Sequence, residues 1–240
     1  MTWLLRISFS ICWLLPAFAG PVNGTIRLIN SSDPEVRKHH NLSGVVVWLE
    51  PVGRATAVVS TDRTNQRSVM AQKMKSFTPH VLAIPAGTAV EFPNFDPIFH
   101  NAFSSYSGQV FDVGLYPPGR SRSVVFKREG VVRVFCNIHS AMSAVIVVLK
   151  TPYYGVSDPS GRFTIPNVQP GEYRLHVYHE RALPQTLASL ERTVNVKADG
   201  LRDEQLVISE TGYVNTPHQN KYGREYPPAG DRLLYPSEGQ

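Results

Sequence analysis

The fold can be read outward from one stretch: Val131-Val132-Arg133-Val134-Phe135, then Cys136-Asn137-Ile138-His139-Ser140-Ala141-Met142, then an apolar run from Ala144 to Leu149. Two apolar runs separated by eight mostly small or polar residues read as a strand, a tight loop and a strand. The loop carries a thiol, an imidazole and a thioether at intervals of three. Soft sulfur donors with imidazole favour copper over hard cations, and two His with one Cys and a weak axial Met form the blue-copper electron-transfer set. A second imidazole has to come from elsewhere, and His100, in Phe99-His100-Asn101, is the best placed candidate.

The rest of the chain narrows the alternatives. Cys12 lies in an apolar stretch, Ile7 to Phe18, that follows Arg6 and ends at Ala17-Phe18-Ala19. This reads as an export signal over residues 1–19, too short and too interrupted by Pro16 to span a bilayer. Without it Cys136 is the only cysteine, which excludes an internal disulfide and favours a metal ligand over a structural role. A buried free thiol acting as a small hydrophobe is the plain alternative.

The net charge is +5, or +4 without Arg6, and no Lys/Arg run points to nucleic acid. No later segment is apolar enough for a membrane span. There is no G-x-S-x-G, P-loop, H-E-x-x-H or C-x-x-C-H, and no set of His clusters for a multicopper oxidase, so no enzyme is expected.

Abundant Val, Pro, Gly and aromatic residues with regular turn signals predict an all-β chain. Residues 30–42 read as a polar loop, Gly53 to Arg67 as a linker, and Met70 to Phe77 as one edge strand. Asn23, Asn30 and Asn41 open glycosylation sequons that matter only in a glycosylating host. His176 and His179, three apart on a strand, fall on opposite faces and cannot easily share a metal. His80 reads as structural, and the paired His39-His40 as a solvated basic loop.

Phe77-x-Pro79-x-Val81, then Ile84-x-x-Gly87-x-x-Val90-x-Phe92-x-Asn94-x-Asp96, His100-Asn101 and Phe135-Cys136-x-x-His139-x-x-Met142 resemble the cupredoxins, in particular the plastocyanin- and amicyanin-like, methylamine-utilisation type. The resemblance covers residues 69–150 and implies a Greek-key β-sandwich. It implies one type 1 copper with His100, Cys136 and His139 equatorial and Met142 axial, and Asn101 tying the two ligand loops together. His139, near Pro97, Ile98 and Ala141, becomes the expected electron port.

A second resemblance follows. Asp158-x-x-Gly161-x-Phe163 and Pro170-Gly171-x-Tyr173 are similar to carboxypeptidase-regulatory or transthyretin-like sandwiches. Such sandwiches open with strands that are missing before Asp158 but matched by Gly24-Thr-Ile-Arg-Leu and Gly44-Val-Val-Val-Trp-Leu. A second, transthyretin-like β-sandwich split over residues 21–60 and 151–209 is therefore expected, with the copper block inserted in it and a flexible tail over 210–240. The resulting expectation is a periplasmic or secreted single-electron carrier serving a dehydrogenase, cytochrome or oxidase. The alternatives are a copper-delivery protein, or a module binding glycan or protein through the second sandwich.

Overall fold

The computed structural model describes residues 19–53, 67–105 and 108–226. The expected signal sequence and most of the expected linker lie outside them. Among the described residues the chain is all-β with two short helices. In order the elements are β1 (Gly20–Ile29), α1 (Pro34–His39), β2 (Val46–Pro51), β3 (Arg67–Val69), β4 (Ala71–Lys73), β5 (Ser76–Thr78), β6 (Val81–Pro85), β7 (Ala89–Pro93), β8 (Phe103–Ser104) and β9 (Phe111–Asp112). There follow β10 (Ser121–Val125), β11 (Gly130–Phe135), β12 (Ser143–Leu149), β13 (Tyr154–Val156), β14 (Arg162–Val168), β15 (Gly171–Tyr178), α2 (Pro184–Leu190), β16 (Arg192–Val196) and β17 (Leu201–Ser209).

The strands assemble as β14-β1-β17, β13-β2-β15-β16, β6-β12-β11-β8-β9, β10-β7-β3 and the hairpin β4-β5. β1 runs antiparallel to β14 and parallel to β17, and β2 lies between β13 and β15. The first strands of the chain thus pair with its last ones. Between β14 and β17, Gly24 is required: a Cβ there would meet the Glu204 carbonyl at 2.3 Å and the Phe163 ring at 2.5 Å.

Apolar residues form three cores. Val22, Ile26, Leu49, Ile165 and Leu206 fill the first, between the two outer sheets. Phe92, Tyr116, Val132, Cys136 and Ile146 belong to the second, inside the cupredoxin-like sandwich. Val46, Val81, Ala83, Val145, Val147 and Leu149 form a third that joins the two sandwiches face to face. This explains the unbroken apolar run Ala144 to Leu149: Ala144, Ile146 and Val148 face the second core, while Val145, Val147 and Leu149 face the joint. A strand covered on both faces has no polar side to alternate with.

Two expectations are corrected. Within the expected loop at 30–42, Asp33 caps a helical turn by accepting the Glu35 N–H at 2.7 Å; Pro34 opens it, and Arg37, Lys38 and His39 close it. The expected edge strand from Met70 to Phe77 is instead the β4–β5 hairpin, with Lys73 opposite Ser76. Its two turn residues, Met74 and Lys75, both have φ of 54°. That left-handed conformation normally calls for Gly or Asn. Here the Asp96 carboxylate holds it from outside, accepting the Met74 N–H at 2.6 Å and the Lys75 N–H at 2.8 Å.

Candidate metal centre

The β11–β12 ladder ends at Phe135 opposite Ser143, leaving Cys136 to Met142 as the connecting loop. The Cys136 N–H donates to the Met142 carbonyl at 3.1 Å and the Met142 N–H to the His139 carbonyl at 3.0 Å, so the loop is closed at its base. Cys136 and Met142 sit fully buried there, His139 is half-buried, and Ser140 and Ala141 are exposed. His100 arrives from the loop after β7. Its backbone exchanges hydrogen bonds with that of Tyr116, at 3.2 and 2.9 Å, and the Tyr116 hydroxyl donates to the Phe92 carbonyl at 2.8 Å.

His100, Cys136 and His139 offer ligand atoms within 4.8 Å of one another. The Nδ1 atoms of both histidines stand 3.7 Å from Cys136 Sγ, and the imidazole centroids are 4.8 Å apart. Metal bonds of about 2.0 Å to nitrogen and about 2.3 Å to sulfur, spread at 120°, separate sulfur from nitrogen by about 3.7 Å. The three donors therefore fit a trigonal site. His100 Nε2 meets Asp96 Oδ2 at 2.8 Å, which places its N–H on that side and leaves Nδ1 as the free lone pair facing sulfur. Copper suits this donor set: two neutral imidazoles, one thiolate and a thioether nearby.

Electrostatics agree with neutral imidazoles. Burial lowers His100 against the pull of Asp96, and burial with the charges of His100 and Lys75 takes His139 down to about 4. Burial pushes the Cys136 thiol up, opposed by backbone N–H groups of Asn101, Ile138 and His139. A bound cation would displace the thiol proton. Burial raises the Asp96 carboxyl, but the amides of Lys75 and Met74 and the His100 ring outweigh it, so the group lies below its usual range.

Polar side chains lock the two ligand loops together. Asn101 Oδ1 accepts the Asn137 N–H at 2.6 Å, Asn101 Nδ2 donates to Asp112 at 3.4 Å, and the Asn101 carbonyl accepts from Gln72 at 3.2 Å. Of the four sequence-predicted ligands, three present donor atoms to one point. Met142 is buried in the same core as Cys136. Three other histidines have partners of their own: His176 pairs with Glu191 at 3.0 Å, His179 with Glu210 at 2.8 Å, and His80 bridges the Ser143 carbonyl and Glu180 at 3.1 and 2.8 Å.

Sequence reasoning gave no role to Asp96, Gln72 or Tyr116. The spacing Asp96 to His100 was the available signal for the first. Residues 210–240 are expected as a mobile tail or an extended segment lying over the surface; among the described ones His218, Lys221 and Tyr226 contact Phe135, Asn137 and Cys136, through side-chain and backbone contacts that no local pattern announces.

A family model described as polysaccharide lyase family 4, domain II, matches residues 149–202, well under half of the chain. A search of curated proteins returned no match. Among solved structures, a copper-containing nitrite reductase from Thermus scotoductus SA-01 is 27% identical, with a TM-score of 0.34, over 35% of this chain and 23% of that one. A purple cupredoxin from Nitrosopumilus maritimus is 26% identical, with a TM-score of 0.31, over 35% of this chain and 99% of that one. A reduced amicyanin variant is 17% identical, with a TM-score of 0.34, over 35% and 84%. These neighbours are cupredoxins, and each likeness spans about a third of this chain; for the reductase it spans less than a quarter of the enzyme.

Proposed function

We propose that this protein holds one type 1 copper at His100, Cys136, His139 and Met142, and carries single electrons between protein partners outside the cytoplasm. The reading rests on the convergence of two Nδ1 atoms on one buried Sγ, each at 3.7 Å, with the His100 tautomer set by Asp96. Copper would supply a one-electron couple. The chain's own part is to keep the donors still, and a closed loop on a β ladder does so whichever oxidation state is present.

Burial favours electron carriage over copper delivery. Handing on Cu(I) requires an incoming donor to reach the metal, yet His100, Cys136 and Met142 are wholly covered. An electron needs no such access. His139 lies on the accessible side, and Phe95 and Phe99, 64% and 38% exposed, are on the loop that leads to His100. We assign that face to a redox protein partner and give the chain no catalytic role. We also read residues 69–150 as a unit inserted into a sandwich made of 21–60 and 151–209, with residues 1–19 directing export.

Visible and EPR spectra of the mature protein titrated with Cu(II), beside Cys136→Ser, test the assignment. An intense thiolate-to-copper band with narrow hyperfine splitting, lost in the variant, is expected. A pale Cu(II) spectrum indifferent to the substitution would sink it.

A further inference from the structure

After β17 the chain reaches Glu210, whose buried carboxylate accepts from Ser31 at 2.6 Å and contacts His179 at 2.8 Å and Arg181 at 3.1 Å. From this anchor the following residues cross to the metal end of the molecule without regular secondary structure. They are not loosely laid there. Asn220 Oδ1 accepts the backbone N–H groups of Tyr222 and Arg224, at 2.9 and 3.1 Å, which folds the segment into a compact turn.

Its contacts include three consecutive residues of the ligand strand and loop. The His218 ring stacks on Phe135, with centroids 4.0 Å apart and planes 22° apart. The Tyr226 hydroxyl donates to the Cys136 carbonyl at 2.8 Å. The Lys221 N–H donates to Asn137 Oδ1 at 3.0 Å, while Lys221 Nζ pairs with Asp112 at 2.8 Å. Because the one phenolic proton goes to Cys136, His218 Nε2, 3.1 Å from the same oxygen, is the donor in that pair. The two rings of the segment therefore support each other.

The peptide plane between Cys136 and Asn137 is consequently gripped at both ends. Its carbonyl is held by Tyr226, and its N–H by Asn101 next to His100. With the Cys136 N–H also held by the Met142 carbonyl at 3.1 Å, the peptide planes on both sides of Cys136 are fixed, and with them the direction of the Cα–Cβ bond that carries Sγ. We propose that residues 213–226 are a working part of the metal centre, with Tyr226 a positioning residue for the cysteine ligand and His218 its support. The segment also closes the side of the loop at Phe135 against water, leaving His139, Ser140 and Ala141 as the open side. This inference rests on the copper reading above.

Outer partners of metal ligands typically change affinity by about 10- to 100-fold when removed. In the full-length copper-loaded protein, Tyr226→Phe is expected to speed copper loss to a Cu(I) chelator about tenfold or more. It should also lower the reduction potential, since water at the loop favours the more charged oxidised site, and shift the thiolate-to-copper band. His218→Ala should do the same to a smaller degree. Val207→Thr, on β17 outside the segment and 42% exposed, is the control and should change nothing. If Tyr226→Phe and His218→Ala both match the parent in release rate, potential and band position, the proposal is overturned while the copper reading stands. If the parent itself shows no thiolate-to-copper band, both fall.

Discussion

The two sandwiches use their interiors differently. The core of the one built on β1, β2 and β13–β17 is mainly aliphatic, with Val22, Ile26, Leu49, Ile165, Leu175 and Leu206, and this sandwich buries the polar residues Thr151, Ser157, His179 and Glu210. The cupredoxin-like sandwich buries Gln72, Asn94, Asp96, His100, Asn101 and Ser104 beside its apolar core. Most of these bond to one another's backbone or side chains around the ligand loops. A buried polar group is tolerated only when partnered. The lesson of the contrast is that one interior secures shape and the other secures positions of particular atoms.

If so, substitutions in the two interiors must fail differently. Ile165→Ala, in the aliphatic core, should cost about 2–5 kcal/mol, the same with and without copper, by denaturant unfolding of both forms. Copper itself, at a thousandfold excess over its Kd, should stabilise by about 4 kcal/mol, and amide exchange should slow in β11 and β12 without slowing in β16. Equal protection of both sandwiches would erase the contrast. Asp96→Ala strips the partner from His100 Nε2 and from two turn amides; a cost of about 1–3 kcal/mol and a 10- to 100-fold loss of copper affinity are expected by titration. An effect on stability alone would make Asp96 a turn clamp and nothing more.

The smallest effect concerns the joint. A hydrogen bond to Glu180, then burial opposing it, leaves His80 above its usual 6.5. A raised folded value means the pair's contribution is complete below 6.5 and disappears as pH climbs through the folded value. The Tm difference between the parent and His80→Asn should therefore shrink between pH 6 and pH 9. A difference that grows with pH would reverse the assignment.

What could be read from residues alone followed the range of the forces involved. The β11–loop–β12 unit was legible because its donors sit at fixed short spacing beside two apolar runs. The helical turn at α1 carries its signal too, in Asp33-Pro34-Glu35, but six residues are too few for an apolar period to show. The β4–β5 hairpin was not legible: Met74 and Lys75 adopt a glycine-like conformation only because Asp96, some twenty residues on, captures their amides. The placing of residues 218–226 likewise comes from Phe135, Cys136, Asn137 and Asp112, while Asn220 supplies the segment's own turn.

The pairing of β1 with β17 has a consequence in time. The two strands run parallel, Ile26 beside Leu206 and Leu28 beside Ile208, so a very long loop must close before β17 gains its neighbour, and β1 waits for β14 as well. Closure entropy rises with separation, and non-local parallel pairing is slow. The strands around the ligand loops have partners close in sequence and can form while β1 and β2 still wait, synthesised first and paired last. Throughout that interval the oldest part of the chain presents unpaired apolar edges, so aggregation during refolding should map to Val22–Ile29 and Val45–Leu49 rather than to the metal end.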